Sequence, residues 1–196
     1  MKFTQIPTTT FQELQLNAGV LASEFTPGTG ALTQSNILGA TSGGINFSAV
    51  PEFTDFGEDI DNCPKNTKEL KKIDSWTITL SGTFATMKTS LAKTLMGAAD
   101  IDTTDTTKIT PRVDLADGDF DNIWFVGDYS DKNGATNGGF IAIKMSNALS
   151  TGGFQIQTSD KEKGKFSFEF TAHFSISAQE TVPFEVYIKA GTAEPT

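Results

Sequence analysis

The sequence predicts a mainly β protein whose antiparallel strands form a β-sandwich or a partly closed barrel, with one flanking α-helix at about residues 87–98 and a long loop or arm at about residues 51–74. Three observations predict this class. Several segments alternate apolar and polar side chains with the period of two that marks a strand buried on one face. Turn-type glycine pairs separate these segments, and a single segment shows the helical period. The 196 residues fit one domain spanning 1–196, and Phe, which occurs 16 times, is the expected main filler of the core.

The first half of the chain predicts a strand pair, a loop and then one long strand. Apolar residues at 11–21 are interrupted by Asn17-Ala18-Gly19, a tripeptide typical of a turn. Residues 24–44 are rich in Gly, Pro, Ser and Thr, which predicts a loop or short edge strands. The clearest strand is residues 75–84, where a hydroxyl-rich face alternates with an apolar face destined for the core, made of Trp76, Ile78, Leu80 and Phe84.

The predicted helix follows that strand. Met87, Leu91, Leu95 and Ala98 are spaced so that they form one apolar stripe, while Thr86 suits the N-cap and Gly97 suits the position just beyond the C-cap. A second small apolar patch beside this stripe, made of Ala92, Met96 and Ala99, predicts either a partner on another side of the helix or a deeper groove for the helix within its own subunit. Ala92 and Met96 are the candidate ring contact on the helix.

The second half of the chain predicts a meander. A short strand is expected at 108–113, followed by strands at 123–126, 140–145, 154–158, 166–176 and 184–188. Residues 131–134 and 137–139 supply the turn between the second and third of these strands. Pro183 precedes the last strand and indicates an edge position for it.

Residues 51–74 show neither the strand period nor the helix period, and they are segregated by charge. Acids dominate the first half and lysines dominate the second. This pattern predicts either a solvated loop or an arm that is poorly ordered in the free subunit and whose acidic and basic ends meet complementary patches on neighbouring molecules. The candidate contact residues of the arm are Phe53, Asp55, Phe56, Glu58, Asp59, Asp61, Lys65, Lys68, Lys71 and Lys72.

Composition excludes several function classes. The net charge of −9 argues against binding to a nucleic-acid backbone. A single cysteine, Cys63, and a single histidine, His173, exclude an internal disulfide, a thiolate zinc site and a multi-histidine site. The acids at 117, 119 and 121 begin like a calcium loop, but Asn122 and Asp128 stand where glycine and a bidentate glutamate are required. We therefore expect no enzyme activity, no catalytic residue, no cofactor and no metal.

No apolar run approaches the length needed to cross a bilayer, and the first ten residues lack the apolar region of a signal peptide. These two features predict a protein that folds in a reducing cytoplasm and does not bind membranes.

The order of the predicted elements and the amino-acid sequence of several segments resemble those of the major tail tube proteins of long-tailed, non-contractile bacteriophages. The resemblance covers most of the chain and lies in FQELQLNAGVLASEF, NILGATSGG, PEFTDFGEDIDNCPKNTKELKKID, SWTITLSGTFATMKTSLAKTLMGAAD and the closing VYIKAGTAEPT. It implies a homo-oligomer of hexameric rings that stack into a hollow tube. The tube would contact a tape measure protein and tail terminator and tip proteins. It also implies that DNA is only in transit through the tube, and that the protein belongs to the virion tail after assembly in the host cytoplasm.

Within such a tube we expect the lumen to be acidic, because acidic side chains repel the phosphate backbone and let DNA slide. The alternative is that the acids serve only solubility. The candidate lumen acids are Glu169 and Glu185 on polar strand faces. The loop acids Asp114, Asp117 and Asp119 are secondary candidates. The alternative function is a β-sandwich binding module for a carbohydrate or a cell-surface receptor. Trp76 and Trp124 lie in strand patterns that place them in the core rather than on a stacking platform.

Overall fold

The computed structural model describes residues 6–131 and 138–192. In chain order its regular elements are β1 (Gln15–Ala22), β2 (Ile37–Gly39), β3 (Thr41–Asp55), β4 (Lys71–Phe84), α1 (Thr89–Met96), β5 (Ala99–Ile101), β6 (Ile109–Pro111), β7 (Asp121–Tyr129), β8 (Gly139–Ser150), β9 (Phe166–Ala172) and β10 (Phe184–Lys189). The mainly β, antiparallel class with one helix is confirmed.

Eight strands form one antiparallel sheet in the order β2-β1-β7-β8-β9-β4-β3, with β10 added beside β8. Strand β8 is where the sheet divides. Its residues 140–145 pair with β10, and its residues 148–150 pair with β9. Asn147 lies between these two stretches with a positive φ of 48°, which bends the strand at the division. The sheet does not close into a barrel, and β5 and β6 form a separate small hairpin.

The divided sheet folds over a core, so that β10 lies across β3 and β4 without pairing with them. The ring of Phe184 is 5.8 Å from the ring of Phe47 and 5.7 Å from that of Trp76, measured between centroids. Two layers therefore enclose the main core. Its buried members include Leu21, Ile78, Leu80, Phe84, Leu91, Leu95, Ile123, Met145, Phe168 and Phe170. The alternation predicted for 75–84 and 166–176 is confirmed over β4 and β9.

A second, smaller core lies on the outer side of the β1–β7–β8 layer. Trp124 is buried there between Phe25, whose ring centroid is 5.7 Å away, and Tyr187, also at 5.7 Å. Phe25 also meets Phe140 edge-on at 5.1 Å. The segment 23–36 covers this face because Phe25 and Leu32 pack on it. The predicted loop at 24–44 thus contributes side chains to a core.

The predicted strand pair at 11–21 is wrong, because β1 is one strand with a bulge. Leu16 opposes Asp128 and Val20 opposes Val126, so three residues on β1 face one on β7. Gly19 has a φ of 69° within this bulge, and a Cβ on it would lie 2.6 Å from the Phe125 ring. The tripeptide that looked like a turn lets the strand bulge and continue.

Other elements differ from the prediction in detail. The helix spans Thr89–Met96 with Lys88 at the N-cap, and the Thr86 hydroxyl instead accepts a hydrogen bond from the Ala40 amide at 2.9 Å. Gly97 has the positive φ expected after a helix, 78°. Residues 154–158 form no strand, only an isolated bridge between Gln157 and Lys165. Of the turn predicted between β7 and β8, residues 132–137 lie outside the described residues.

Candidate functional site

Strands β3 and β4 form a hairpin that extends well beyond the sheet. They pair from Ile45 opposite Gly82 to Asp55 opposite Lys71. Strand β9, by contrast, pairs with β4 only over residues 79–84. Residues 50–77 therefore form a two-stranded ribbon with a loop at its tip, and we call these residues the arm. The stretch predicted as a non-periodic connection of residues 51–74 contains strand at both ends, and only residues 56–70 form the loop.

The loop at the tip of the arm is held by its own hydrogen bonds. Both carboxylate oxygens of Asp55 accept backbone N–H groups, from Gly57 and Asn66, each at 2.9 Å. These two bonds, that of Gly57 foremost, lower the pKa of Asp55 below its ordinary value. The Phe56 amide donates to the Leu70 carbonyl at 3.1 Å and closes the loop. The arm therefore forms a hairpin with a hydrogen-bonded loop in the single chain, and the expectation that it becomes ordered on assembly stays a prediction.

Gly57 is enclosed by side chains of its own loop. It is buried, and a Cβ at this position would stand 2.9 Å from Leu70 Cδ1 and 3.1 Å from Cys63 Sγ. Cys63 in turn lies 3.6 Å from the Thr67 hydroxyl. The single cysteine therefore packs inside the loop, and glycine at position 57 is what allows this packing.

Both faces of the arm expose apolar side chains. Phe53 and Ile73 oppose each other and are 55% and 52% exposed, while Phe56 near the start of the loop is 58% exposed. The Lys71 ammonium lies 5.1 Å from the centroid of the Phe53 ring, and the Lys72 ammonium lies 5.6 Å from that of Phe56. Because Lys71 and Lys72 are consecutive in a strand, these two pairs lie on opposite faces of the ribbon. Each face thus combines an uncovered aromatic ring with a cation.

The charged candidates of the loop make few contacts within the chain. Glu58 and Lys65 lie 3.9 Å apart, and Lys68 and Glu69 lie 3.6 Å apart, in both cases at exposed positions where an ion pair contributes little. Asp59 and Asp61 are exposed. The arm therefore presents most of its charge to solvent.

Three strands of the sheet pair with one neighbour only in the described part of the chain: β2 with β1, β3 with β4, and β10 with β8, as Pro183 predicted for the last. The two longest of these open edges are β3 and β10. An unpaired strand edge offers a row of backbone donors and acceptors to another chain. Because the two edges differ, contact between them would be head-to-tail rather than two-fold symmetric.

The helix candidates are not equivalent. Ala92 is only 7% exposed and lies among the buried residues of α1, with Leu91 and Leu95. Burial inside its own chain leaves Ala92 little surface for a contact between subunits, and its role in such a contact stays a prediction. Met96 is half-buried and keeps part of its side chain accessible.

The two candidate lumen acids lie on different outer surfaces. Glu169 opposes Ser81 and lies between the buried Phe168 and Phe170, so it points away from the main core on the β3–β4–β9 layer. Glu185 follows Phe184, opposes Lys144 and accepts a hydrogen bond from the Tyr187 hydroxyl, on the outer face of the other layer. The structure does not bring these two carboxylates together.

A clasp of charged residues, not predicted from the sequence, fixes the segment after β6. Arg112 Nη2 donates to both carboxylate oxygens of the buried Asp119, at 2.6 and 2.8 Å, and the Ala116 amide donates to the same carboxylate at 2.8 Å. Arg112 Nε forms an ion pair with Asp100 Oδ2 at 2.8 Å. Burial raises the pKa of Asp119, but the hydrogen bonds from Ala116 and Arg112 outweigh it and lower that pKa overall. Asp119 is therefore held in an internal ion pair, and its contribution to a lumen stays a prediction.

A cavity of about 460 Å³, also not predicted, lies between β1, β7, β8 and the segment 23–36. Phe25, Val126 and Phe140 contribute its apolar lining. Asp128 also lines it and accepts a hydrogen bond from the side-chain amide of Asn17 at 2.7 Å. The bulge of β1 creates this space.

Within residues 6–131 and 138–192, no group of three or more His, Cys, Asp or Glu side chains is arranged to hold a metal ion. Over the same residues, no helix is long and apolar enough to cross a membrane. Comparison of the chain with models of protein families and with curated proteins gives no match.

Proposed function

We propose that this chain is a structural protein that assembles with copies of itself into stacked rings, forming a tube of the kind found in the tails of long-tailed bacteriophages. The observation that carries the proposal is the arm. It is an ordered hairpin that leaves the sheet and exposes aromatic rings on both faces. Side chains of this type, surrounded by polar residues, are the usual anchors of protein interfaces.

The distal part of the arm, residues 53–73, contributes no side chain to the main core, which favours a role outside its own chain, whereas Trp76 at the base of the arm packs against Phe184. Phe53, Phe56 and Ile73 are each more than half exposed. A ribbon with uncovered apolar groups on both faces can bury them only by lying between two other surfaces. Insertion between neighbouring subunits is an arrangement that satisfies both faces at once.

The two longest open strand edges, β3 and β10, support closure into a ring. Head-to-tail contact between unlike surfaces generates a ring when the rotation per subunit closes, and a helical filament when it does not. The chain offers such unlike edges at β3 and β10. We propose six subunits per ring and stacking of rings through the arm, as the resemblance implies. The partners in the virion would be the tape measure protein and the tail terminator and tip proteins, with DNA in transit only.

The test is the assembly state of the purified chain. We expect size-exclusion chromatography with light scattering to show rings or larger assemblies, and negative-stain microscopy to show hollow tubes at high concentration. A monodisperse monomer over the whole range, up to millimolar concentrations, would refute the proposal.

The second candidate is a binding module, favoured by the cavity beside β1. Its lining mixes apolar side chains with polar ones that include Asp128 and Lys189, a combination found in small-molecule sites. Trp124, however, is buried, and Trp76 packs against Phe184, so neither provides an open stacking platform for a sugar. A glycan array together with the chromatography separates the two functions, because a binding module gives glycan signals from a monomer.

A further inference from the structure

The loop after β6 holds two apolar side chains out in solvent. Val113 is fully exposed and Leu115 is 56% exposed. The backbone that carries them is fixed, because Arg112 Nη1 donates to the Asp114 carbonyl at 2.9 Å and the Arg112 amide donates to the Ala98 carbonyl at 2.9 Å. Because hydrogen bonds hold the loop in place, these two side chains form a preformed apolar surface. We call residues 113–117 the acidic loop.

The acidic loop also carries two negative charges without a partner in the described structure. The carboxylates of Asp114 and Asp117 make no hydrogen bond and no ion pair within residues 6–131 and 138–192. Asp119, two residues further on, is paired with Arg112, which also contacts Asp100. The surface is therefore apolar in its centre and negative around it.

One face of the arm has the complementary character. Phe53 and Ile73 are directly paired and exposed, with the Lys71 ammonium over the Phe53 ring. Asp55 lies opposite Lys71, but both of its oxygens are engaged by backbone N–H groups of the tip loop. Lys71 makes no ion pair within 4.0 Å in the described residues; its ammonium donates to the side-chain oxygen of Asn66. We call Phe53, Ile73 and Lys71 the Lys71 face.

We propose that the Lys71 face of one copy docks on the acidic loop of a second copy. Phe53 and Ile73 would cover Val113 and Leu115, and Lys71 would lie among the two free carboxylates. This proposal rests on the proposed function and names the surface that receives the arm. Apolar contact supplies the driving force, and the opposite charges select the orientation.

Two other exposed apolar pairs fit this face less well. Phe154 and Ile156 are followed by residues 160–165, whose three lysines outnumber the acids Asp160 and Glu162, so this stretch offers Lys71 no net negative charge. Val186 and Ile188 lie on β10, where the nearest acid, Glu185, points to the other face of the strand and opposes Lys144. The acidic loop combines a fixed apolar pair with two uncompensated acids.

A charge-swap experiment tests the proposal. We expect Lys71→Glu, or Asp114→Lys with Asp117→Lys, to raise the critical concentration for assembly about tenfold or more, because like charges then meet in the contact. All three changes together should restore assembly to near the wild-type level. The matched control is Lys72→Glu, which changes a charge on the opposite face of the arm. Adding Asp114→Lys and Asp117→Lys to this variant should not improve its assembly. Light scattering and negative-stain microscopy measure assembly, and circular dichroism verifies that each variant is folded.

A second measurement locates the contact directly. A photo-crosslinking amino acid in place of Phe53 in the full chain should crosslink to a peptide containing residues 113–117 of another copy, identified by mass spectrometry. If the wild type forms rings or tubes but the triple variant is not rescued, or residue 53 crosslinks elsewhere, the docking is wrong and the proposed function stands. If the wild type neither assembles nor crosslinks at millimolar concentration, both proposals fail.

Discussion

Phenylalanine at two positions of one hairpin provides a sharp test of the fold and of the arm together. Phe84 at the base of β4 is 0% exposed, whereas Phe53 in the arm is 55% exposed. The Phe84 ring lies 4.5 Å from that of Phe168, and a Cβ on Gly39 would stand 3.2 Å from its Cδ1. Backbone and rings therefore surround Phe84 closely, so the site has little freedom to collapse after truncation.

The same substitution should consequently have different effects at the two positions. Phe84→Ala is expected to lower the free energy of unfolding by about 4 kcal/mol, within the range for a buried Phe replaced by Ala. That loss corresponds to a fall in Tm of roughly 8–16 °C for a chain of this size. Phe53→Ala should cost less than about 1 kcal/mol, as exposed positions do, while it weakens self-assembly.

Urea denaturation of the unassembled chain, followed by tryptophan fluorescence, measures both values. Dilute protein is used so that assembly does not contribute to the apparent stability. A loss below about 1 kcal/mol for Phe84→Ala would show that the core is assigned incorrectly. An equal loss for both variants would show that the arm belongs to the core of its own subunit, and the proposed role of the arm would fail.

Three further predictions concern the arm and the helix. Replacing residues 56–70 by Asn-Gly, which suits a two-residue hairpin turn, should leave a folded chain that forms no tubes in negative stain; tubes of normal length would contradict this. Because the hydrogen bond from Gly57 lowers the pKa of Asp55 from 3.8, the stabilisation it gives the loop is complete above about pH 5 and is lost as the pH falls through the lowered pKa. An NMR titration of the Gly57 amide should show this transition in the wild type and not in Asp55→Asn. If the transition persists in Asp55→Asn, another group causes it. Ala92→Asp should unfold the chain because it buries a charge, whereas Met96→Asp should leave circular dichroism unchanged; similar loss in both would place Met96 in the core.

The parts of the fold that could be predicted are those with one buried face. The alternation over β4 and β9 predicts which side chains reach the core, because a period of two leaves no other way to bury them. The bulge in β1 could not be predicted in this way. Asn17 and Gly19 adopt positive φ in a turn and in a bulge alike, and only the pairing with β7 decides between the two.

The arm escaped prediction as a hairpin for a physical reason. Its strands are exposed on both faces, so residues 51–55 and 71–74 have no core to impose an alternating pattern. The candidate residues were nevertheless identified from their charge segregation and from the aromatic residues at 53 and 56. The acidic loop had no such signal, because the ion pair of Arg112 with Asp119 that fixes it joins residues seven positions apart outside any regular element.

The two layers of the sheet also bear on how charge would be distributed in the proposed tube. The outer face of β3, β4 and β9 carries Glu169 among the hydroxyls of Thr79, Ser81 and Thr171. Glu185, on the other layer, stands opposite Lys144, so its charge is offset locally. Since the two faces point in opposite directions, only one of them can line a lumen. The hydroxyl-rich face is the better candidate, because it keeps a layer of water and its carboxylate has no cation opposite it, so it would repel the phosphates of passing DNA.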